Sequence, residues 1–265
     1  MTRTRIARRA LLVAAGLALF AVSAAAQAPQ QILAPSGKLK AGLYPGTPTS
    51  ILPAGPGVEP RGIGYELGKE LARRLGVPYE PVVFAKNAEV IDAVKSGAVD
   101  VAFTNASPAR AQIMDFGPPF LEIELGLLVP PGAKLTSPAD MDAAGLKIGV
   151  VTASSSDAAL SRDLKKSEVV KVETTALGVT MLKEGKLDGF ATNKAALYEM
   201  ADKLPGGKVL DGRWGVERHA IAIPKGRDAG RDYIKTYTED VKASGLVKAA
   251  IERSGLRGAM TSEGK

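Results

Sequence analysis

The chain reads as an α/β protein built from two similar lobes that face each other across a cleft. Three observations lead there. The first is an internal repeat. Residues 94–106, V-K-S-G-A-V-D-V-A-F-T-N-A, and residues 182–195, L-K-E-G-K-L-D-G-F-A-T-N-K-A, share a set of positions. Lys95, Gly97, Asp100, Thr104 and Asn105 recur as Lys183, Gly185, Asp188, Thr192 and Asn193. An upstream echo pairs Leu39-Lys40-Ala41-Gly42-Leu43 with Leu146-Lys147-Ile148-Gly149-Val150. Two copies of this length indicate two lobes rather than a solenoid. The second observation is that short apolar runs alternate with stretches of helical period in both halves, the pattern of parallel sheets covered by helices. The third is that polar residues follow the strands directly: Tyr44, Thr104-Asn105, Thr152 and Thr192-Asn193. Ligands of parallel α/β sheets bind outside the carboxyl ends of the strands, so facing lobes would line one cleft with these residues.

Taken in order, residues 28–36 are a proline- and glutamine-rich lead-in, expected to be flexible, before a strand at 39–43. The Gly- and Pro-dense stretch 45–64 should be a loop. Ile63, Leu67, Leu71 and Leu75 then recur every four residues, with Lys69, Arg73 and Arg74 on the other side. That is an amphipathic helix, stopped by Gly76. A strand at 79–84 follows. A helix capped by Asn87 runs through Val90, Ile91 and Val94 to Gly97. Residues 99–103 are continuously apolar, as a buried parallel strand should be. A turn with a short helical piece fills 108–119, and a strand at 121–129 is closed by Pro130-Pro131. The plan then repeats: strand 147–151, helix 157–164, strand 169–173, helix 177–184, strand 189–191. A helix at 194–204, an edge at Val209-Leu210, a strand at 219–223 ended by Pro224 and a helical tail at 228–253 complete the chain.

Composition narrows the chemistry. The chain has no cysteine, which excludes a disulfide, a thiolate metal site and a thiol nucleophile. His219 is the single histidine, so a histidine-cluster metal site is excluded too. No cofactor and no metal are expected. Residues 1–26 carry the three parts of a secretory signal: Arg3, Arg5, Arg8 and Arg9, an apolar stretch at 10–22, and Ala24-Ala25-Ala26 as a small-residue cleavage site. The apolar stretch is well short of the roughly 20 residues that span a bilayer. Arg8-Arg9 is compatible with either Sec or twin-arginine export. Without a cysteine there is no lipid-anchor site, so the mature chain is expected free in a periplasm. The formal charge of +7 falls to +3 once the four leader arginines are removed from 35 basic and 28 acidic residues, too mild to argue for nucleic acid.

Residues 105–120, N-A-S-P-A-R-A-Q-I-M-D-F-G-P-P-F, resemble the hallmark of family 3 extracellular solute-binding proteins, the polar amino-acid receptors of ABC importers, written T-x-T-x-x-R followed by D-F-S-x-P-Y or -F. Residues 64–76, the L-x-x-G-x-x-D pattern of 94–100 and 182–188, the K-x-G-V-x-x-G-[ST]-[ST] pattern at 147–155, and 219–225 follow in the family's order. The resemblance implies a periplasmic-binding-protein clamshell of two mainly parallel sheets joined by two hinge strands, around 125–129 and 219–223. Lobe 1 would hold 38–126 and 221–265, lobe 2 would hold 127–220, and 27–37 would lead in. It also implies a monomer that captures a small carboxylate-bearing solute, an amino acid or related organic acid, and delivers it to an inner-membrane permease.

Carried over residue by residue, the resemblance makes Arg110 the holder of a ligand carboxylate, since a guanidinium grips a carboxylate bidentately. Asn105 and Ser107 match the hydroxyl positions that share that carboxylate, and Ser107 is also a natural helix cap. Thr152, Ser154, Ser155 and Ser156 precede a helix whose free N–H groups suit an anion; Thr152 and Ser154 are the expected contacts. Ala153 stands where the family usually has glycine. Asn193 is a departure, because the family often places an aspartate there for the ligand ammonium, and Tyr44 likewise replaces an acidic position after the first strand. With both positions neutral, the expected ligand is a carboxylate with no strong need for an ammonium. Asp100 and Asp188 are expected in turn and capping roles, His219 as a packed residue, and Trp214 and Tyr44 as packing or stacking rings. A periplasmic dehydratase on the same scaffold, acting on a cyclohexadienyl acid, is the alternative, with Glu173 as its acid. A ligand-presenting partner for a membrane sensor is another.

Overall fold

A computed structural model describes residues 28–260 apart from Gly46, Pro53 and Pro56; the expected secretory leader lies outside the described residues. The first half runs α1 (Pro29–Leu33), β1 (Leu39–Leu43), α2 (Ile63–Leu75), β2 (Tyr79–Val83), α3 (Asn87–Ser96), β3 (Val101–Asn105), α4 (Pro108–Ala111) and the long β4 (Met114–Val129). The second runs β5 (Lys147–Val151), α5 (Ser155–Asp163), β6 (Glu168–Val172), α6 (Thr175–Lys183), β7 (Gly189–Asn193), α7 (Lys194–Ala201) and β8 (Lys208–Val209). The chain then crosses back through β9 (Gly215–Pro224) into α8 (Asp228–Ala243), α9 (Leu246–Ser254) and β10 (Ala259–Met260).

The strand order is β2-β1-β3-β9-β4-β7-β5-β6. β1 lies parallel between β2 and β3, and β5 lies parallel between β6 and β7. Each half of the repeat therefore builds the same three-stranded unit, and β9 and β4, antiparallel to each other, join the two units. This is the expected two-lobed α/β fold. β9 pairs with β3 over 219–222, while β4 pairs with β7 over 125–128. Between these, Leu121 to Leu125 pair with His219 to Gly215, and this doubled segment carries the chain from one sheet to the other. The strands expected around 125–129 and 219–223 are thus out of register with one another: Leu125 faces Gly215 and His219 faces Leu121.

The repeated residues do the same work twice. Asp100 Oδ2 accepts the Lys40 N–H at 3.0 Å and the Asp100 N–H donates to Lys40 O; Asp188 Oδ2 accepts the Lys147 N–H at 2.7 Å and its N–H donates to Lys147 O. Each aspartate pins the start of the neighbouring strand, the capping role expected of it. The echoed glycines leave room for apolar side chains packed against their strands. A Cβ on Gly42 would lie 3.1 Å from both Val90 and Val99, and one on Gly149 would lie 2.6 Å from Leu187 and Phe190. Apolar side chains fill both faces of each sheet. In lobe 1, Leu67, Leu71, Tyr237 and Val241 cover one face and Val90 and Val94 the other; in lobe 2, Leu182, Phe190 and Leu197 oppose Ile148, Val150 and Leu160.

Several local readings change. The lead-in, expected to be flexible, forms α1, and its Leu33 is fully buried, where any side chain on Gly230 would collide with it. Asn87 is the first helical residue rather than the cap; the N-cap is Lys86, without a side-chain bond. β4 begins at Met114, upstream of Pro118-Pro119, because register shifts between Phe116 and Leu121 let the prolines sit in the strand. The tail is two helices, broken where Gly245 takes a left-handed φ of 75°.

Candidate ligand-binding site

The carboxyl ends of the strands bring Tyr44, Asn105, Ser107 and Arg110 together and link them through Glu217 to Asn193, whereas Thr152 and Ser154 make their hydrogen bonds only within the second lobe among the described residues. Asn105 ends β3, and Ser107 caps α4, its Oγ accepting the Arg110 N–H at 3.4 Å. This four-residue helix turns Arg110 back over the strand end. There Arg110 Nη1 donates to Thr104 Oγ1 at 2.5 Å and to Asn105 O at 3.4 Å. A guanidinium has five N–H donors. Nη1 carries both of these bonds, so the edge formed by Nε and Nη2 makes no bond and no ion pair among the described residues. Burial lowers the basicity of Arg110, against the opposing influence of Tyr44 and Glu217. Burial likewise raises the Tyr44 phenol, while the Arg110 charge pulls it down.

Asn105 is buried, and its Oδ1 accepts the Arg218 N–H at 3.1 Å, so this side chain also ties β3 to β9. On the opposite lobe, Thr152 is exposed and donates to Val172 O at 3.1 Å. Ser154 is the N-cap of α5, accepting the Asp157 N–H at 3.0 Å, and Asp157 Oδ2 accepts the Ala153 N–H. Ala153 has φ 58°, the only positive φ of a non-glycine among the described residues, which explains why glycine suits this position. Asn193 caps α7, its Oδ1 accepting the Ala196 N–H at 3.0 Å. Trp214 Nε1 donates to Gly126 O, and the ring packs in the lobe 2 core. Glu173, the acid that a dehydratase would need, is 71% exposed and lies 4.0 Å from Lys86.

Sequence reasoning missed Glu217. It lies on β9 in the doubled crossing segment and is 6% exposed. Its Oε1 accepts from Ser155 Oγ at 2.6 Å; its Oε2 accepts from Asn193 Nδ2 at 3.1 Å and lies 3.2 Å from His219 Nε2. Burial opposes its ionisation, but the bond and charge of His219, with the bonds from Ser155 and Asn193, hold the carboxyl below its usual range. The neutral Asn193 therefore does not leave the site without negative charge: its amide orients a carboxylate supplied by another strand. The available signal was an acidic residue just before the apolar run 219–223, at a position that aligns with inward-facing His219 and Ile221. His219 is buried, as expected of a packed residue, yet it touches this cluster.

Two lobes joined by a paired crossing, with polar residues at the strand ends of both, are the architecture of a receptor that binds a small solute; separately, no helix among the described residues is long and apolar enough to cross a membrane. A model of the bacterial extracellular solute-binding proteins, family 3, matches residues 39–255, and the chain belongs to that family. Family and fold are those of solute-binding receptors outside the cytoplasm, not of catalytic domains. The chain is 29% identical over 161 residues to a probable histidine-binding protein of Neisseria gonorrhoeae, an alignment that covers 58% of this chain and 59% of that protein. It is 26% identical over 191 residues to the glutamine-binding protein GlnH of Bacillus subtilis strain 168, covering 71% and 70%. Among solved structures, it resembles a solute receptor for L-cysteine of Neisseria gonorrhoeae at TM-score 0.73 and 25% identity, over 86% of this chain and 93% of that one.

Proposed function

We propose that the protein is the periplasmic solute-binding component of an ABC importer, and that it captures a small carboxylate-bearing solute between its lobes for delivery to an inner-membrane permease. Arg110 carries this reading. It is the cleft arginine whose Nε–Nη2 edge is unpaired among the described residues, and two parallel N–H donors match a carboxylate. Asn105, Ser107, Thr152, Ser154, Asn193 and Tyr44 complete the ligand surface. In this reading lobe 1 holds 38–126 and 221–265 and lobe 2 holds 127–220. Closure is a hinge motion about the doubled crossing strands, and the closed monomer is the form the permease receives. The leader is cleaved near Ala26.

A thermal-shift screen of the purified protein over amino acids, organic acids, aromatic acids and their carboxamides tests it. A ligand at about a hundred times its dissociation constant adds about 2.7 kcal/mol, and at about 2–4 °C per kcal/mol for a protein of this size the melting temperature should rise by about 5–11 °C. The carboxamides should give no shift. A panel in which no carboxylate shifts the melt, or in which acid and amide shift it equally, refutes the proposal.

A further inference from the structure

We infer that the C-terminal segment 256–260 is a strap that bridges the two lobes beside the hinge, and that its Arg257 is a positioning residue for solute capture: clasped to Asp202 and Tyr198, it favours the arrangement in which the lips of the cleft meet. This builds on the receptor reading above, but not on the charge or identity of the solute.

The strap starts in lobe 1. Gly255 ends α9 with a left-handed φ of 67°, and Leu256 is buried in the lobe 1 core. Beyond it, Ala259 and Met260 form β10, antiparallel to β4 at Ile123 and Glu122. On their other side the same two residues of β4 pair with Glu217 and Arg218 of β9. β4 is therefore the middle strand of a crossing three strands wide, although the chain passes between the lobes only twice. Between Leu256 and β10, Arg257 and Gly258 reach lobe 2. Arg257 grips Asp202, at the end of α7, with Nη1 donating to Oδ1 at 3.2 Å and Nη2 to Oδ2 at 2.6 Å. Its guanidinium carbon lies 5.4 Å from the centre of the Tyr198 ring. A two-point grip on a carboxylate together with a ring face fixes direction as well as distance. Gly258 permits the approach: its φ is 72°, and a Cβ there would lie 3.0 Å from Lys194 Cβ and 3.2 Å from the Tyr198 ring.

The strap is rooted in lobe 1 and its clasp is on lobe 2, to the side of the strands about which the lobes turn. Rotation about β4 and β9 therefore changes the separation of Arg257 from Asp202, and one range of angles satisfies the two-point grip. In the arrangement that satisfies it, the far edge of the cleft is shut. Lys86, just after β2, has its Nζ 4.0 Å from Oε2 of Glu173, just after β6. β2 and β6 are the equivalent outer strands of the two repeated units, so this contact is lip against lip. A contact made in one arrangement and lost in another shifts the population toward the first. Arg257 and Asp202 are 46% and 62% exposed, which keeps the bias small and leaves solute binding to decide the outcome.

Distances between two spin labels, measured by pulsed electron resonance on the solute-free protein, test this. The chain has no cysteine, so Val83→Cys and Leu177→Cys put one label on each lobe, near the lips and at exposed side chains. In that background Arg257→Gln and Asp202→Asn should each lower the ratio of short to long distances by about threefold to tenfold, the size expected of an exposed ion pair backed by a ring. Both changes are at the surface and leave β10 and Leu256 in place, and urea unfolding checks that the variants fold; whichever variant folds decides. A fall of less than about threefold, or a rise, overturns the strap. A purely structural segment would lower the urea midpoint and leave the distance ratio where it was. Calorimetry with the carboxylate that gives the largest thermal shift separates the two readings. If no carboxylate binds, the receptor reading fails while the distance ratio still decides the strap; if one binds and the ratio does not move, the strap fails alone.

Discussion

Replacing Arg110 with methionine should abolish most solute affinity while leaving the fold almost untouched. Arg110 projects from a four-residue helix and makes its side-chain hydrogen bonds through Nη1 alone, at Thr104 Oγ1 and Asn105 O. The Nε–Nη2 edge remains for the ligand. Two charge-assisted bonds of about 1.5–3 kcal/mol each bracket the attraction. Truncating one partner of a buried hydrogen-bonded charge pair costs about 2–5 kcal/mol, or about 30- to 4,000-fold in dissociation constant at 1.4 kcal/mol per decade. The free protein loses little, because burial already disfavours the unpaired guanidinium, and a methionine of similar length fills its place. Stability should change by less than about 1 kcal/mol. Arg110→Lys keeps the charge but not the fork and should fall in between. Calorimetric titration with the tightest ligand measures the affinity, and urea unfolding of the unliganded protein measures the stability. A methionine variant that binds within threefold of wild type would refute the assignment. One that loses binding together with several kcal/mol of stability would make Arg110 a structural residue.

The two repeated aspartates should differ under the same substitution. Asp100→Ala removes a strand-pinning bond and strands Arg227, which pairs with Asp100 at 2.9 Å; it should cost about 3 kcal/mol. Asp188→Ala loses only its bond to the Lys147 N–H and should cost about 1 kcal/mol, both read as shifts in urea midpoint. Ala153→Gly should raise stability by up to about 1 kcal/mol, since it relieves a left-handed φ of 58° at a cost of about 1–2 kcal/mol for a side-chain-bearing residue, less the greater freedom of glycine when unfolded. Glu70, gripped by Arg73 and Arg74, is held at about 2. Its folded value lies below its unfolded one, so its contribution is present above pH 4.5 and is lost as pH falls towards 2. Glu70→Gln should remove about 0.5–1 kcal/mol of that acid dependence after discounting for exposed partners, checked by unfolding at pH 7 and pH 3.

Architecture was legible where it rests on local pattern. The Lys-x-Gly-x-x-Asp repeat located two equivalent strand starts because each aspartate bonds a backbone N–H of the strand beside it, a job that any copy of the unit must fill. The period of Ile63, Leu67, Leu71 and Leu75 set α2 because those residues face one core. Reading failed where the outcome depends on a boundary or on a distant partner. Four hydroxyl residues flanking Ala153 left the cap of α5 open; it is Ser154, one of the two chosen as ligand contacts, while Ser155 reaches Glu217 sixty-two positions away. β4 starts early because bulges absorb Pro118-Pro119, which local propensity marks as breakers. Glu217 was invisible for a related reason. An acidic residue at a strand end looks solvated until Asn193, Ser155 and His219 are seen around it.

The most direct test of the account is a crystal structure of the protein with the tightest ligand found by the screen. The account predicts a ligand enclosed between the lobes, its carboxylate oxygens about 2.7–2.9 Å from Arg110 Nε and Nη2. A bound ligand whose carboxylate lies elsewhere, with that edge of Arg110 left to solvent, would contradict it.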